Sequence, residues 1–280
     1  MAKIKIKNEH AAPMFRAALV KSRTNSTFLL HPASSMGRTA VCMMLCATVA
    51  AAASAATRPV EHRAQRARRP PSKSGFDRIG QTLVINLESR ADRLANVTAV
   101  LASMGVSDFG VVKAIPHACG ALGCALSHVA AMQMCADSDA AACLVLEDDF
   151  ELTVDPDAAR ALVDRLFDEV PDAGWDVVFL SSNVIVDRAS PHGMLRRIVD
   201  AQTTSAYIVS KHYAPKLLDA YTKSASLLNE HGCNKDLFAI DMFTKALQPF
   251  DKWYVFHPKL GKQRKDFSDI EQKTVDYNVR

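Results

Sequence analysis

The run Thr82-Leu83-Val84-Ile85-Asn86-Leu87 limits the fold more than any other stretch of this chain. It is almost continuously apolar rather than alternating, the pattern of a strand buried on both faces. Such a strand needs helices above and below it, and the following residues supply them. Leu94, Val97, Leu101 and Met104 recur at helical spacing and stop before Gly105, behind a capping-box pattern at Ser89-Arg90-Ala91-Asp92. Apolar runs predict further strands over 109–115, 141–146, 175–180 and 205–210. Helices are expected over 120–135, over 156–170 behind an Asp155 N-cap and Pro156, and over 213–228. Strands alternating with helices imply an α/β fold with a mainly parallel sheet, which binds ligands at the carboxyl ends of its strands.

The charge is divided along the chain. Residues 1–78 carry fourteen Lys/Arg against Glu9, Glu61 and Asp77, whereas residues 79–280 carry twenty Lys/Arg against twenty-seven Asp/Glu. The folded part is therefore acidic and offers no electrostatic case for nucleic acid, which needs clustered cations against phosphates. Residues 1–38 form a basic leader, upstream of an alternative start at Met36. Residues 39–56 contain no charge and end in a small-residue pattern at Ala53-Ser54-Ala55. They read as a signal-peptide core or a signal-anchor, since eighteen residues reach the roughly 17–25 needed to span a bilayer. Secretory-pathway entry or secretion is the expectation, with organellar targeting as the alternative. Residues 57–78 are basic, Pro-bearing and poor in large apolar groups, so they read as a disordered stem, leaving 79–280 as the folded domain. Cys143 reads as a buried small hydrophobe, while Cys119 and Cys124 are candidates for a disulfide in an oxidising lumen, with the partner left open. Asn96-Val97-Thr98 matches a glycosylation sequon within a predicted helix.

Three strand ends carry residues suited to chemistry. After the first strand come Asn86, Arg90 and Arg93, the arginines three apart beside a helix N-terminus, where free N–H groups favour phosphate. The alternative is a surface pair with Glu88 or Asp92. The strand over 141–146 leads into Glu147-Asp148-Asp149, three carboxylates that are unfavourable at a buried strand exit unless a cation or solvent compensates them. Oxygen ligands of this kind suit Mg²⁺ or Mn²⁺, which neutralise a departing diphosphate. Between the two lies Gly120-Ala121-Leu122-Gly123-Cys124-Ala125-Leu126-Ser127-His128, with glycines that permit close backbone approach. His128 taken alone is equally at home as a hydrogen-bonded core histidine.

In order along the chain these pieces resemble glycosyltransferase family 25, which includes lipooligosaccharide and procollagen galactosyltransferases. The resemblance rests on Val84-Ile85-Asn86-Leu87 with Arg90, Asp92 and Arg93, then Gly123-Cys124-Ala125-Leu126-Ser127-His128 and Leu144-Val145-Leu146-Glu147-Asp148-Asp149-Phe150. The segments 175–180 and 204–210, Ile240-Asp241, His257-Pro258-Lys259-Leu260, Gln263 and Ser268-Asp269-Ile270 extend it. It implies a GT-A fold, a UDP-sugar donor, an Mn²⁺ or Mg²⁺ cofactor and an inverting transfer, galactose being the expected hexose. The implied nucleotide site comprises Asn86, Arg90, Arg93, Gly123, Ser127, His128 and Asp148. The implied metal ligands are Glu147, Asp149 and His257, and Asp241 is the implied base, with Asp149 also at the chemical centre. The acceptor is a hydroxyl of a glycan or hydroxylated protein, and membrane anchoring would run through 39–56. Two other functions fit the same residues less well: a silent relative acting as a binding or adhesion module, and a glycosidase built on two carboxylates.

Overall fold

A computed structural model describes residues 74–268 and 273–275. The leader, the apolar run 39–56, and the stem up to residue 73 lie outside the described residues. In chain order the elements are α1 (Gly75–Ile79), β1 (Gly80–Asn86), α2 (Ala91–Ser103), β2 (Gly110–Lys113), α3 (Gly120–Asp137), β3 (Ala142–Glu147) and β4 (Phe150–Leu152). They continue with α4 (Pro156–Glu169), β5 (Val177–Ala189), β6 (Leu195–Ser210), α5 (Ala214–Glu230), α6 (Lys235–Phe238), α7 (Ile240–Thr244), β7 (Trp253–Phe256) and β8 (Gly261–Gln263). A hairpin of β9 (Asp266–Ser268) and β10 (Lys273–Val275) follows.

The main sheet has strand order β2-β1-β3-β6-β5-β7. β1 runs parallel to β2 and β3, and β5 parallel to β7, while β6 is reversed against β3 and β5. The expected α/β class with a mainly parallel sheet is what the chain adopts, with β6 as its one reversed strand. The apolar run of β1 divides between the two faces. Leu83 and Ile85 join a core with α3 and α5. Val84 joins a second core with α1, α2 and α4. Both cores exclude water almost fully, so truncating a residue such as Leu144, which is wholly buried, would cost about 2–5 kcal/mol.

Several local expectations need correction. Residues 74–78, read as the end of a disordered stem, are folded. Ser74 caps α1 through a reciprocal capping box with Asp77, and Phe76 and Ile79 are buried. Gly80 then turns the chain into β1 at a φ of 83°, with Ala140 packed where a side chain would stand. The capping box expected at Ser89–Asp92 does not form: Arg90 is the N-cap of α2 without a side-chain cap, and the Asp92 carboxylate is held by the Arg90 guanidinium instead. β5 and β6 run far beyond 175–180 and 205–210, as a long hairpin with several register shifts. The Asp155 cap and Pro156 start of α4 are as expected. Among the described residues, no helix is long and apolar enough to cross a membrane.

Candidate active site

β1 and β3 are paired so that Ile85 lies opposite Glu147, which brings Asn86 and Glu147-Asp148-Asp149 to one edge of the sheet. The amino-terminal parts of α2 and α3 meet that edge. A cavity of about 350 Å³ opens there, lined among others by Arg93, Gly123, Cys124, His128, Glu147, Asp148, Asp149 and Gln263. A second, of about 450 Å³, continues from it through Cys124, Glu147 and Gln263 to Thr203, Thr204, Lys235 and Asp241.

The three carboxylates have separate surroundings. Asp148 is neutralised inside the protein: Asn86 Nδ2 donates to it at 2.7 Å and Arg93 Nη1 at 3.2 Å, all three side chains being buried. Burial still pushes its pKa up, with Arg93 and Asn86 opposing. Asp149 is less well compensated. Its Oδ2 accepts from Gln263 Nε2 at 2.8 Å, with Arg93 4.0 Å away, and its buried Oδ1 has no hydrogen-bond partner. Burial, reinforced by the charge of Glu147, lifts its pKa to about 7. Glu147 faces the other way: its Oε1 lies 3.1 Å from His128 Nε2 and accepts from Thr204 Oγ1 at 3.3 Å. His128 is fully buried, stacked on Tyr207, with Nδ1 3.0 Å from the Tyr207 hydroxyl.

Asp241 enters from the far side on α7. Its two oxygens accept from the backbone N–H groups of Thr203, at 3.0 Å, and Met242, at 2.8 Å. Thr203 sits at a φ of 67°, a left-handed conformation unfavourable for a β-branched residue, and the hydrogen bond to Asp241 holds it there. The same bend turns Thr204 towards Glu147. Carboxylates from both cavities converge on Cys124: burial, then Glu147, Asp241 and Asp149, raise its thiol well above the ordinary range.

The residues expected from sequence therefore separate into groups. Asn86, Arg93, His128, Glu147, Asp148 and Asp149 are brought together, and Asp241 lines the adjoining cavity. Arg90 pairs with Asp92 and is not part of either cavity wall. Ser127 lines the first cavity, yet its hydroxyl is committed to the fold, donating to Gly123 O at 2.7 Å and accepting from Ile115 N at 2.8 Å. Gly123 serves packing: a Cβ there would lie 2.4 Å from the Ile115 carbonyl oxygen. His257 is exposed, outside both cavities, with its N–H donating to Met194 O, so the metal-ligand role expected for it has no support in the geometry. Thr204, Tyr207 and Gln263 fall within segments of the family resemblance, but the sequence assigns them no role, because their types carry no distinctive signal until the strands are placed. It also left open the partner of Cys119, which is Cys233; that disulfide ties the start of α3 to the segment leading to Asp241.

A family model, glycosyltransferase family 25 (LPS biosynthesis protein), matches residues 116–170. That segment holds α3, β3, β4 and α4, hence Gly123 through His128 and Glu147 through Asp149. No curated protein sequence matches the chain. Among solved structures, a glycosyltransferase involved in glycosylation of the major capsid of PBCV-1 overlaps 69% of this chain and 95% of its own, at 13% identity and a TM-score of 0.39. A mannose-1-phosphate geranyltransferase from Thermus thermophilus overlaps 68% and 76%, at 12% identity and a TM-score of 0.33. A197 from STIV overlaps 66% and 95%, at 12% identity and a TM-score of 0.36. Overlaps this loose carry no argument of their own. The matched segment supplies the helix and the acidic strand end at the centre of the cleft, and in that segment the chain is similar to glycosyltransferase family 25.

Proposed function

We propose that the protein transfers a hexose, galactose being the first choice, from a UDP-sugar to a hydroxyl of a glycan or glycoprotein, with inversion. The single observation that carries this reading is Asp149. A buried carboxylate oxygen without a partner, beside a second carboxylate in an open cavity, is costly unless a ligand compensates it. A divalent cation, Mn²⁺ or Mg²⁺, fits that need, with Asp149 as the residue that would hold it. When bound, it would offset the charge that develops on the departing diphosphate.

The chain's own groups supply the rest. Arg93 and Asn86 fix Asp148 and line up the acidic turn, so the first cavity is the natural donor side. The second cavity, with Asp241 at its wall, is the acceptor side. In a single displacement the acceptor oxygen attacks the anomeric carbon, the bond to the diphosphate oxygen breaks, and the hydroxyl proton passes to an Asp241 carboxylate oxygen. Both oxygens of Asp241 accept one backbone N–H each, which fixes the carboxylate at the wall of the second cavity. An oxidising lumen is the compartment this reading expects, and the Cys119–Cys233 disulfide supports it, since such bonds are rare where thiols are kept reduced.

Asp241→Asn tests the base. Asparagine keeps an acceptor for one of the two N–H groups, so folding should survive while transfer to an acceptor falls by about 10²–10⁴-fold. Undiminished transfer would remove Asp241 from the chemistry. A second reading, a silent binding protein, draws on the internal neutralisation of Asp148 by Arg93; UDP binding without turnover would favour it.

A further inference from the structure

The transfer reading leaves two cavity residues without a task, Cys124 and His128. They are four apart on α3 and so share one helix face, pointing at the end of β3. The Cys124 sulfur, an imidazole nitrogen of His128 and a carboxylate oxygen of Glu147 all lie within 4.8 Å of one another. One pair, His128 Nε2 and Glu147 Oε1, is 3.1 Å apart. Ligands bound at about 2.0–2.3 Å around a tetrahedral Zn²⁺ stand about 3.3–3.8 Å from each other, so small side-chain adjustments suffice to admit the ion. The other ring nitrogen of His128 already contacts the Tyr207 hydroxyl, the kind of outer partner that fixes the ring of a metal-binding histidine. Asp149, a buried carboxylate whose Oδ1 lacks a partner, lines the same cavity.

We infer that Cys124, His128 and Glu147 form a binding site for a thiophilic divalent cation, Zn²⁺ in preference to Mn²⁺ or Mg²⁺. Sulfur and imidazole ligands select Zn²⁺ over the oxygen-seeking ions that carboxylates alone would take. Three protein ligands leave a fourth position for water, Asp149 or a substrate oxygen. The site shares its cavity with the proposed transfer reaction but does not depend on it, because binding is measured without any sugar nucleotide.

The test uses the full chain, stripped with a chelator and kept under conditions that preserve the Cys119–Cys233 disulfide. Zn²⁺ is titrated in competition with a chromophoric chelator, and Co²⁺ serves as the spectroscopic substitute. The expected result is one equivalent of Zn²⁺, bound tighter than Mn²⁺ by on the order of a hundredfold, and a near-ultraviolet thiolate-to-cobalt band. Cys124→Ser should abolish that band, whereas Cys143→Ser, which alters a buried thiol away from the cavity, should keep it. Should Cys124→Ser fail to fold, Glu147→Gln provides the second arm, weakening Zn²⁺ by about tenfold or more while its amide still hydrogen-bonds His128. Absence of stoichiometric Zn²⁺, a band that survives Cys124→Ser, or unchanged affinity in Glu147→Gln would overturn the site. Zn²⁺ binding without sugar transfer would leave it standing and count only against the transfer reading.

Discussion

Asp149 shows how far a single residue departs from its neighbours in sequence. Its carboxyl titrates near 4 in the unfolded chain and is lifted to about 7 in the fold, chiefly by burial. The folded state therefore keeps its proton longer, and that contribution to stability is present below pH 4 and lost as the pH rises through 7. The chelator-treated protein should melt at a lower temperature at pH 8 than at pH 5. Asp149→Asn should flatten that difference, by an amount on the order of a few kcal/mol. A calorimetric series against pH checks this, and an equally steep fall in the variant would refute it. The position of the acidic turn was legible from Glu147-Asp148-Asp149 after an apolar run. Its division of labour was not, because which carboxylate faces Arg93, which faces His128 and which stays unpartnered depends on where α2 and α3 dock. The same holds for the arginines: a spacing of three puts both near the helix start, yet only Arg93 turns inwards, while Arg90 takes Asp92 beside it.

At the scale of elements, what a periodicity can encode was readable and what a tertiary pairing decides was not. The buried strand β1, the stripe of α2, the helix α3 and the Asp155-Pro156 start of α4 follow from spacing and cap chemistry. The length of β5 and β6 does not, since residues 181–189 and 195–204 mix buried and charged positions and become one hairpin only by pairing with each other through several register shifts. Gly123 was legible as a close-approach position, but its partner turns out to be the backbone of Ile115 rather than a phosphate. Gly123→Ala should cost about 1–3 kcal/mol by pushing α3 from the 115–117 segment, measurable as a loss of unfolding free energy in denaturant. A neutral result there would mean the segment yields freely. The Cys119–Cys233 bond closes a separation of 114 residues between the start of α3 and the approach to α7. Cys233→Ser should lower stability by about 2–5 kcal/mol, and because it frees the segment carrying Asp241, turnover should fall as well. Unchanged melting under reducing and non-reducing conditions would contradict that role.

For the molecule as a whole, five strands pointing one way bring Asn86 and Glu147–Asp149 to one end of the main sheet, where Gln263 of the separate β4–β8 pair meets Asp149. The reversed β6 and its bend at Thr203 join that end to Asp241. This arrangement makes two adjoining cavities that share Cys124, Glu147 and Gln263, which the proposed reaction would use as donor and acceptor sides. In the proposed reaction Asp149 anchors a metal-assisted departure of the nucleotide in that cleft. The most direct measurement is release of nucleoside diphosphate from a panel of nucleotide sugars, with and without Mn²⁺, by the wild-type chain and by Asp149→Asn. Metal-dependent release from UDP-galactose or UDP-glucose is expected, dropping by on the order of a hundredfold or more in the folded variant. Release that is indifferent to Asp149, or none from any donor by a well-folded protein supplied with metal, would contradict it.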